Sequence, residues 1–386
     1  MTDVAEEAVP EVGERPFVRR YLGRGVPLVL VLYLATRIVQ FVFINLLAPA
    51  GGRSIKDRLL TWDGGWFIRV ATEGYPHMYS YDRSGNMVGN GLAFFPLYPW
   101  LIRAVNWLGV DVGWAALTVS WIAAGAAAVL LYRFGVALHS ARLGYALVVL
   151  FCAQPMSVVL SMGYSEALFS ALVIGALYAA YRERFLVAGA LGLLAGLCRP
   201  TGLAVGIAVV VAAGTAVYRG RSRWRPTVGA VLALLGVPSF LLWVGFRVGN
   251  LNAWFTIQTA GWGTTFDWGR STRDFLWVAF IRGRDWVQMS VAAILVVAIV
   301  AAVLAVRRAW PPLTVYGLLV LGLVVGQAGY YHSKPRLLVP ALLTLIPAGY
   351  AAARARTATA VFGLTCYALF GLWYGAYMIT VWPFTI

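Results

Sequence analysis

Apolar residues run along this chain in long stretches separated by short polar connectors. Val26 to Ala48, Gly113 to Leu131, Leu143 to Met162 and Thr227 to Phe246 are the clearest. Each approaches or exceeds the roughly 20 mostly apolar residues that cross a hydrocarbon core about 30 Å thick. Within lipid only a helix pairs all of its own backbone groups, so these runs predict transmembrane helices. Extending the reading gives about eleven helices, at 26–48, 113–132, 143–162, 164–181, 186–199, 202–218, 227–248, 290–306, 313–330, 337–353 and 359–380. The segment Phe94 to Trp100 holds two prolines and several aromatics, and is read as an interfacial piece rather than a span. The expected fold is therefore all-α, a polytopic transmembrane bundle over 26–380 with polar loops at 49–112 and 249–289. A basic tail over 1–25, expected to be disordered, precedes the bundle, and a short tail, 381–386, follows it.

Composition agrees. Only 12% of the 386 residues are charged, about half of what a soluble domain carries, and 61% are hydrophobic. The chain holds 31 Lys and Arg against 15 Asp and Glu, a net charge of +16. In a soluble protein that excess suggests nucleic acid. Here it reads as the enrichment of basic residues in cytoplasmic loops, and no nucleic-acid partner is expected. Arg15, Arg19, Arg20 and Arg24 place the N-terminus inside. Alternation then puts Arg133, Arg142, Arg182, Arg184, Arg219, Arg221, Arg223, Arg225, Arg307, Arg308, Arg354 and Arg356 inside as well.

The acids divide by the same register. Asp3, Glu6, Glu7, Glu11, Glu14 and Glu183 fall inside; Asp57, Asp63, Glu73, Asp82, Asp111, Glu166, Asp267, Asp274 and Asp285 fall outside. Carboxylate chemistry is thus expected on the outer face of a cell membrane. Cys152, Cys198 and Cys366 sit in apolar runs without disulfide or zinc spacing and read as small core residues. His77, His139 and His332 form no metal motif, and no cofactor is expected.

Five polar or aromatic motifs interrupt the apolar pattern. The first is Thr61 to Tyr75, where Asp63, Trp66, Phe67, Val70 and Gly74 share one face if the segment is helical. An acid in an apolar stripe needs a partner, and its desolvation raises proton affinity, as suits a general base. The alternative is an Asp that merely caps the helix. The others are Ala93 to Pro99, Gly163-Tyr164-Ser165-Glu166, Cys198-Arg199-Pro200-Thr201-Gly202, and Tyr330 to Arg336. Glu166 either caps its helix or hydrogen-bonds a substrate. Lys334 and Arg336 are cations on the outer side, against the basic-inside bias, and an anionic lipid phosphate or headgroup would explain them.

Trp62-Asp63-Gly64-Gly65-Trp66-Phe67-Ile68, Gly74-Tyr75, Ala93-Phe94-Phe95-Pro96-Leu97-Tyr98-Pro99, Tyr164-Ser165-Glu166-Ala167-Leu168-Phe169, Arg199-Pro200-Thr201-Gly202 and Ser333-Lys334-Pro335-Arg336 occur in that order. In this the chain resembles the PIG-V-type mannosyltransferases, multi-span enzymes of the GT-C class, over roughly 60 to 340. Phe67 stands where Tyr is expected in many relatives. The resemblance implies a bacterial plasma-membrane enzyme with an outward site and a loop aspartate as base. It also implies a polyprenyl-phosphate-sugar donor, with mannose as the expected sugar, and a lipid or glycan acceptor.

On this expectation Asp63 is the base of an inverting transfer, and Arg199, Lys334 and Arg336 hold the donor phosphate. Trp62, Trp66, Tyr98, Glu166 and His332 contact substrate. Two other functions compete. A transporter or flippase would show repeated halves and ionisable groups at mid-membrane, and Arg37 is the only charge deep in an early span. A non-catalytic scaffold would tolerate loss of Asp63.

Overall fold

The computed structural model describes residues 25–49, 51–220, 223–283 and 285–386. Arg15, Arg19, Arg20, Arg24 and Arg221 lie outside the described residues, as does most of the expected 1–25 tail. In chain order, α1 (Val26–Leu47) leads through the short α2 (Ile55–Leu59) to α3 (Asp63–Glu73). A small antiparallel hairpin, β1 (Ser80–Tyr81) and β2 (Met87–Val88), precedes α4 (Leu97–Asn106). Then come α5 (Val112–Leu138), α6 (Ala141–Ala153), α7 (Glu166–Tyr181), α8 (Phe185–Cys198), α9 (Gly202–Tyr218) and α10 (Trp224–Val248). The rest are α11 (Ala253–Trp262), α12 (Arg270–Ile281), α13 (Trp286–Val306), α14 (Pro311–Gly326), α15 (Lys334–Leu337), α16 (Ile346–Arg354) and α17 (Thr357–Thr380).

This is the multi-pass membrane bundle that the apolar runs predict. Among the described residues α1, α5, α10, α13 and α17 are long and apolar enough to span. The apolar helices α6, α7, α8, α9 and α14 are shorter, at 10–17 residues, and residues 331–354 form a pair bent by 78°. A helix of 16 residues rises only about 24 Å, so the shorter ones depend on neighbours and loops to complete a crossing. The long spans turn apolar side chains outward, as lipid requires: Ile38 is 63% exposed and Val297 66%. Cys366 is exposed on such a face of α17, whereas Cys152 and Cys198 are buried. The cysteines therefore split between lipid face and core.

Two expected spans are broken. The run 143–162 is not one helix. Pro155 lacks an amide proton and disfavours helix at Gln154, so α6 stops at Ala153 and the backbone at Gln154 is extended. A short 3-10 turn, Ser157–Leu160, follows. Arg37 meets the carbonyls that this break leaves free. Its guanidinium donates to Ser157 O and to Ser161 Oγ, each at 3.0 Å, and to Cys152 O. The run 337–353 is likewise split, by an irregular stretch around Pro340. The segment 94–100 begins the ten-residue α4, too short to span.

Small residues draw the helices together where lipid offers no hydrophobic drive. A Cβ on Gly189 would stand 2.5 Å from Gly229 O, and one on Gly236 would stand 2.2 Å from Leu193 O. This contact locks α8 to α10 and fixes Arg199, which follows α8. At one end of the bundle the connectors gather: Arg142 Nη2 donates to Ala355 O at 2.7 Å, and the Tyr181 and Trp310 rings lie 5.3 Å apart. The motif-bearing segments gather at the other end.

Candidate active site

Most acids at the motif-bearing end serve the backbone. Asp57 pairs reciprocally with Ser54 at the start of α2, and Asp111 and Asp285 cap α5 and α13. Asp82 receives the Ser84 and Asn86 amides in the β1–β2 turn, and these bonds hold its carboxyl below the usual range. Asp267 is likewise held low by Ser271 and Gly269. Glu73 and Asp274 form exposed pairs with Arg69 and Arg273. Asp63 and Glu166 remain, and they share a site.

Asp63 is the first residue of α3. Its carboxylate is bound by a cation: Arg336 Nη2 donates to Asp63 Oδ2 at 2.5 Å. The preceding Trp62 has φ +52°, a conformation that bulky residues seldom adopt and that costs about 1–3 kcal/mol. The two glycines after Asp63 have different surroundings. A Cβ on Gly64 would come 3.5 Å from Gly163 O, whereas Gly65 faces open space. A side chain at Gly64 would thus meet the 163–166 segment at ordinary contact distance, while Gly65 leaves open space next to Asp63 in the chain.

Glu166 opens α7, which is buried at the centre of the bundle, and is itself 1% exposed. Arg199 Nη1 lies 2.8 Å from Glu166 Oε1 and donates to Ser165 Oγ at 3.1 Å. Arg336 Nε lies 3.8 Å from the same Glu166 oxygen. The Arg336 guanidinium also sits over the Tyr164 ring, 5.1 Å from its centroid, and the Tyr164 hydroxyl donates to Thr61 O at 3.2 Å. Four charges therefore form one chain, Asp63–Arg336–Glu166–Arg199, with two of each sign. Tyr164 and Ser165 seat Arg336 and Arg199, a role that their motif spacing alone does not reveal.

Two of the three expected cations meet here. Lys334 does not join them. Its ammonium donates to Val324 O at 2.6 Å and to Gln327 O, and lies 4.5 Å from the Tyr331 ring centroid. Those carbonyls end α14, and a helix C-terminus leaves such groups in need of donors. Tyr98 is also elsewhere. It is fully buried, its hydroxyl bonded to Ala116 O and Ser120 Oγ, with Phe67 edge-on at 4.9 Å. No sugar face can reach it in this state.

Trp62 is half-buried at the start of α3. Trp66 is half-buried too, stacked on Phe94 at 5.9 Å with Trp262 edge-on at 6.2 Å. Trp262 ends α11 in the second long loop, and no spacing in the sequence pointed to it. His332 packs against Trp382 and Phe384 at 6.0 and 6.4 Å, so the 381–386 segment folds back over the site's edge. Among the described residues, no three His, Cys, Asp or Glu side chains gather as metal ligands would.

Unused hydrogen-bonding capacity clusters at this place. Among the described residues, both Glu166 oxygens and Arg336 Nε and Nη1 are buried without an aligned partner. Buried polar groups are seldom left so, and a cluster of them suits a bound polar ligand.

Residues 37–222 match the sequence model of the family described as Mannosyltransferase (PIG-V). The GPI alpha-1,6-mannosyltransferase 2 of Rattus norvegicus is 30% identical over 173 residues, 41% of this chain and 33% of the relative. The chain thus matches about a third of the length of its curated relatives. Two solved structures share the fold. ArnT from Cupriavidus metallidurans, bound to undecaprenyl phosphate, is 16% identical with a TM-score of 0.51, covering 87% of this chain and 62% of ArnT. The Archaeoglobus fulgidus oligosaccharyltransferase is 11% identical with a TM-score of 0.52, covering 91% and 56%. Both are GT-C membrane glycosyltransferases, and the all-helical architecture here is GT-C-like.

Proposed function

We propose that this membrane protein, whose residues 37–222 match the model of the PIG-V mannosyltransferase family, transfers mannose from a polyprenyl-phosphate-mannose donor to an extracytoplasmic lipid or glycan acceptor, with inversion. Asp63 takes the proton of the acceptor hydroxyl as its oxygen attacks the anomeric carbon. The bond from that carbon to the phosphate oxygen breaks, and the electron pair leaves on the lipid phosphate. Arg336, with Arg199 beside it, stabilises the charge that grows there.

The observation that carries this reading is the contact between Arg336 and Asp63, in which Arg336 Nε and Nη1 stay buried without an aligned acceptor among the described residues. A base for the attacking oxygen and a cation for the leaving phosphate belong on either side of one anomeric carbon. Here Asp63 and Arg336 touch directly, and a bound donor would part them. The undecaprenyl phosphate held by ArnT supports a polyprenyl carrier. The gathering of basic connectors at the opposite end supports a site that faces outward from a bacterial plasma membrane.

The test is transfer by the purified protein in lipid nanodiscs, supplied with polyprenyl-phosphate-mannose and candidate acceptor lipids and followed by mass spectrometry. A mannosylated acceptor that appears with the parent and not with Asp63→Asn supports the assignment. Equal product from both removes Asp63 as base. Movement of an intact lipid across the bilayer without transfer would favour a flippase.

A further inference from the structure

Glu166 stands beside both arginines of the site, its carboxylate 2.8 Å from Arg199 and 3.8 Å from Arg336. We propose that Glu166 is a positioning residue that holds Arg336 while Asp63 releases it; this rests on the transfer reading above. Three observations converge. Glu166 is 1% exposed, and neither of its carboxylate oxygens receives an aligned hydrogen bond from the described residues. Arg336 Nε lies 3.8 Å from Glu166 Oε1, and Arg336 Nε and Nη1 are both buried without an acceptor. Arg199 holds the same Glu166 oxygen at 2.8 Å and is itself tied to Ser165.

Turnover makes such a residue necessary. In this structure the strongest partner of Arg336 is Asp63. When Asp63 accepts the acceptor's proton it becomes neutral and no longer pairs with a cation. Arginine does not give up its own proton, and an unpaired buried guanidinium is costly. Glu166 keeps its charge throughout and lies within a small side-chain movement of the two idle N–H groups. It keeps Arg336 aimed at the donor phosphate, whose single charge becomes two as its bond to the sugar breaks. Arg199 in turn keeps Glu166 in place. At rest the four side chains sum to zero; Glu166→Gln leaves them at +1.

That charge step separates positioning from a purely structural role. With Glu166→Gln, binding of undecaprenyl phosphate in nanodiscs should tighten several-fold, because both arginines lose a competing carboxylate. The kcat should fall by about 10²-fold, the loss that a misplacement of about an ångström causes. Glu166→Asp keeps the charge on a shorter arm; it should bind the lipid phosphate like the parent and recover part of kcat. A merely structural role would instead lower melting temperature, affinity and rate together.

Parental kcat in Glu166→Gln overturns the proposal, as does weakened lipid-phosphate binding in a variant that melts normally. If Glu166→Gln does not fold, Glu166→Asp decides: reduced kcat with unchanged affinity supports positioning, and any other pattern overturns it. Failure of the parent to bind undecaprenyl phosphate would overturn the donor assignment as well. Normal parental binding with an inert Glu166 would overturn this inference alone.

Discussion

Arg336 Nη2 lies 2.5 Å from Asp63 Oδ2 and so joins two segments 273 positions apart in sequence. The pair is mostly buried, with side-chain exposures of 12% and 19%. Each ion loses hydration on burial, so the two offset one another's cost, and Glu166 gives Arg336 a second carboxylate nearby.

Asp63→Asn removes the proposed base and keeps the shape. The variant should insert, melt near the parent temperature and retain donor binding, while transfer falls by about 10²–10⁴-fold, the usual contribution of general-base catalysis. Single-turnover assays with donor bound in advance measure this. A rate within a few-fold of the parent would leave Asp63 a structural partner of Arg336 only.

A double-mutant cycle of Asp63→Asn and Arg336→Gln should give a stability coupling of about 0.5–3 kcal/mol, the range for contacting charges. Arg336→Gln alone should be the more harmful single change, since it strands the Asp63 carboxylate and leaves Glu166 to Arg199 alone. Additive effects would mean that the contact contributes nothing to the fold.

Lys334 and Arg336 should separate in function. Lys334→Ala strips a donor from Val324 O and Gln327 O. Leaving buried carbonyls unsatisfied costs about 1–3 kcal/mol. Its main effect should be a lower melting temperature, with lipid-phosphate affinity changed less than in Arg336→Ala. Equal losses of affinity in both would restore Lys334 to a three-cation phosphate site.

Topology can be checked by labelling. In a background with Cys152, Cys198 and Cys366 replaced, cysteines at 222 and 308 should react from the cytoplasmic side, and cysteines at 85 and 268 from the outside. Labelling of position 222 from outside alone would invert the assignment.

Arg37 should matter to the fold and not to the chemistry. Arg37→Leu leaves the Cys152 and Ser157 carbonyls without their donor. The segment that carries Gly163 to Glu166 follows those carbonyls directly. A lower melting temperature is expected, with donor KM unchanged in the protein that folds. Loss of donor affinity at parental stability would instead assign Arg37 to the site.

The sequence by itself determined the helical membrane bundle and the location of the polar motifs between its apolar segments. Those features follow from local rules: a span must be apolar over its whole length and must satisfy its own backbone, so it is visible in a short window. The breaks were harder to read. Pro155 and Pro340 were visible in the chain, but whether a proline bends a helix or ends it depends on what receives the freed carbonyls, and Arg37 comes from a span more than a hundred positions away.

The site was legible as a set of residue types and not as an arrangement. Asp63, Glu166, Arg199 and Arg336 all stood out as charges in apolar surroundings. That Arg336 would bond to Asp63, that Glu166 would lie between two arginines, and that Lys334 would instead cap α14 was decided by tertiary structure alone. The reason is electrostatic. A buried charge must find an opposite charge or a set of dipoles within a few ångströms, and which of them it finds depends on where packing puts the helix ends. Here glycine and alanine contacts set α8 against α10 and fix Arg199, while the breaks in the chain bring Glu166 and Arg336 to the same end. No sequence window contains those distances.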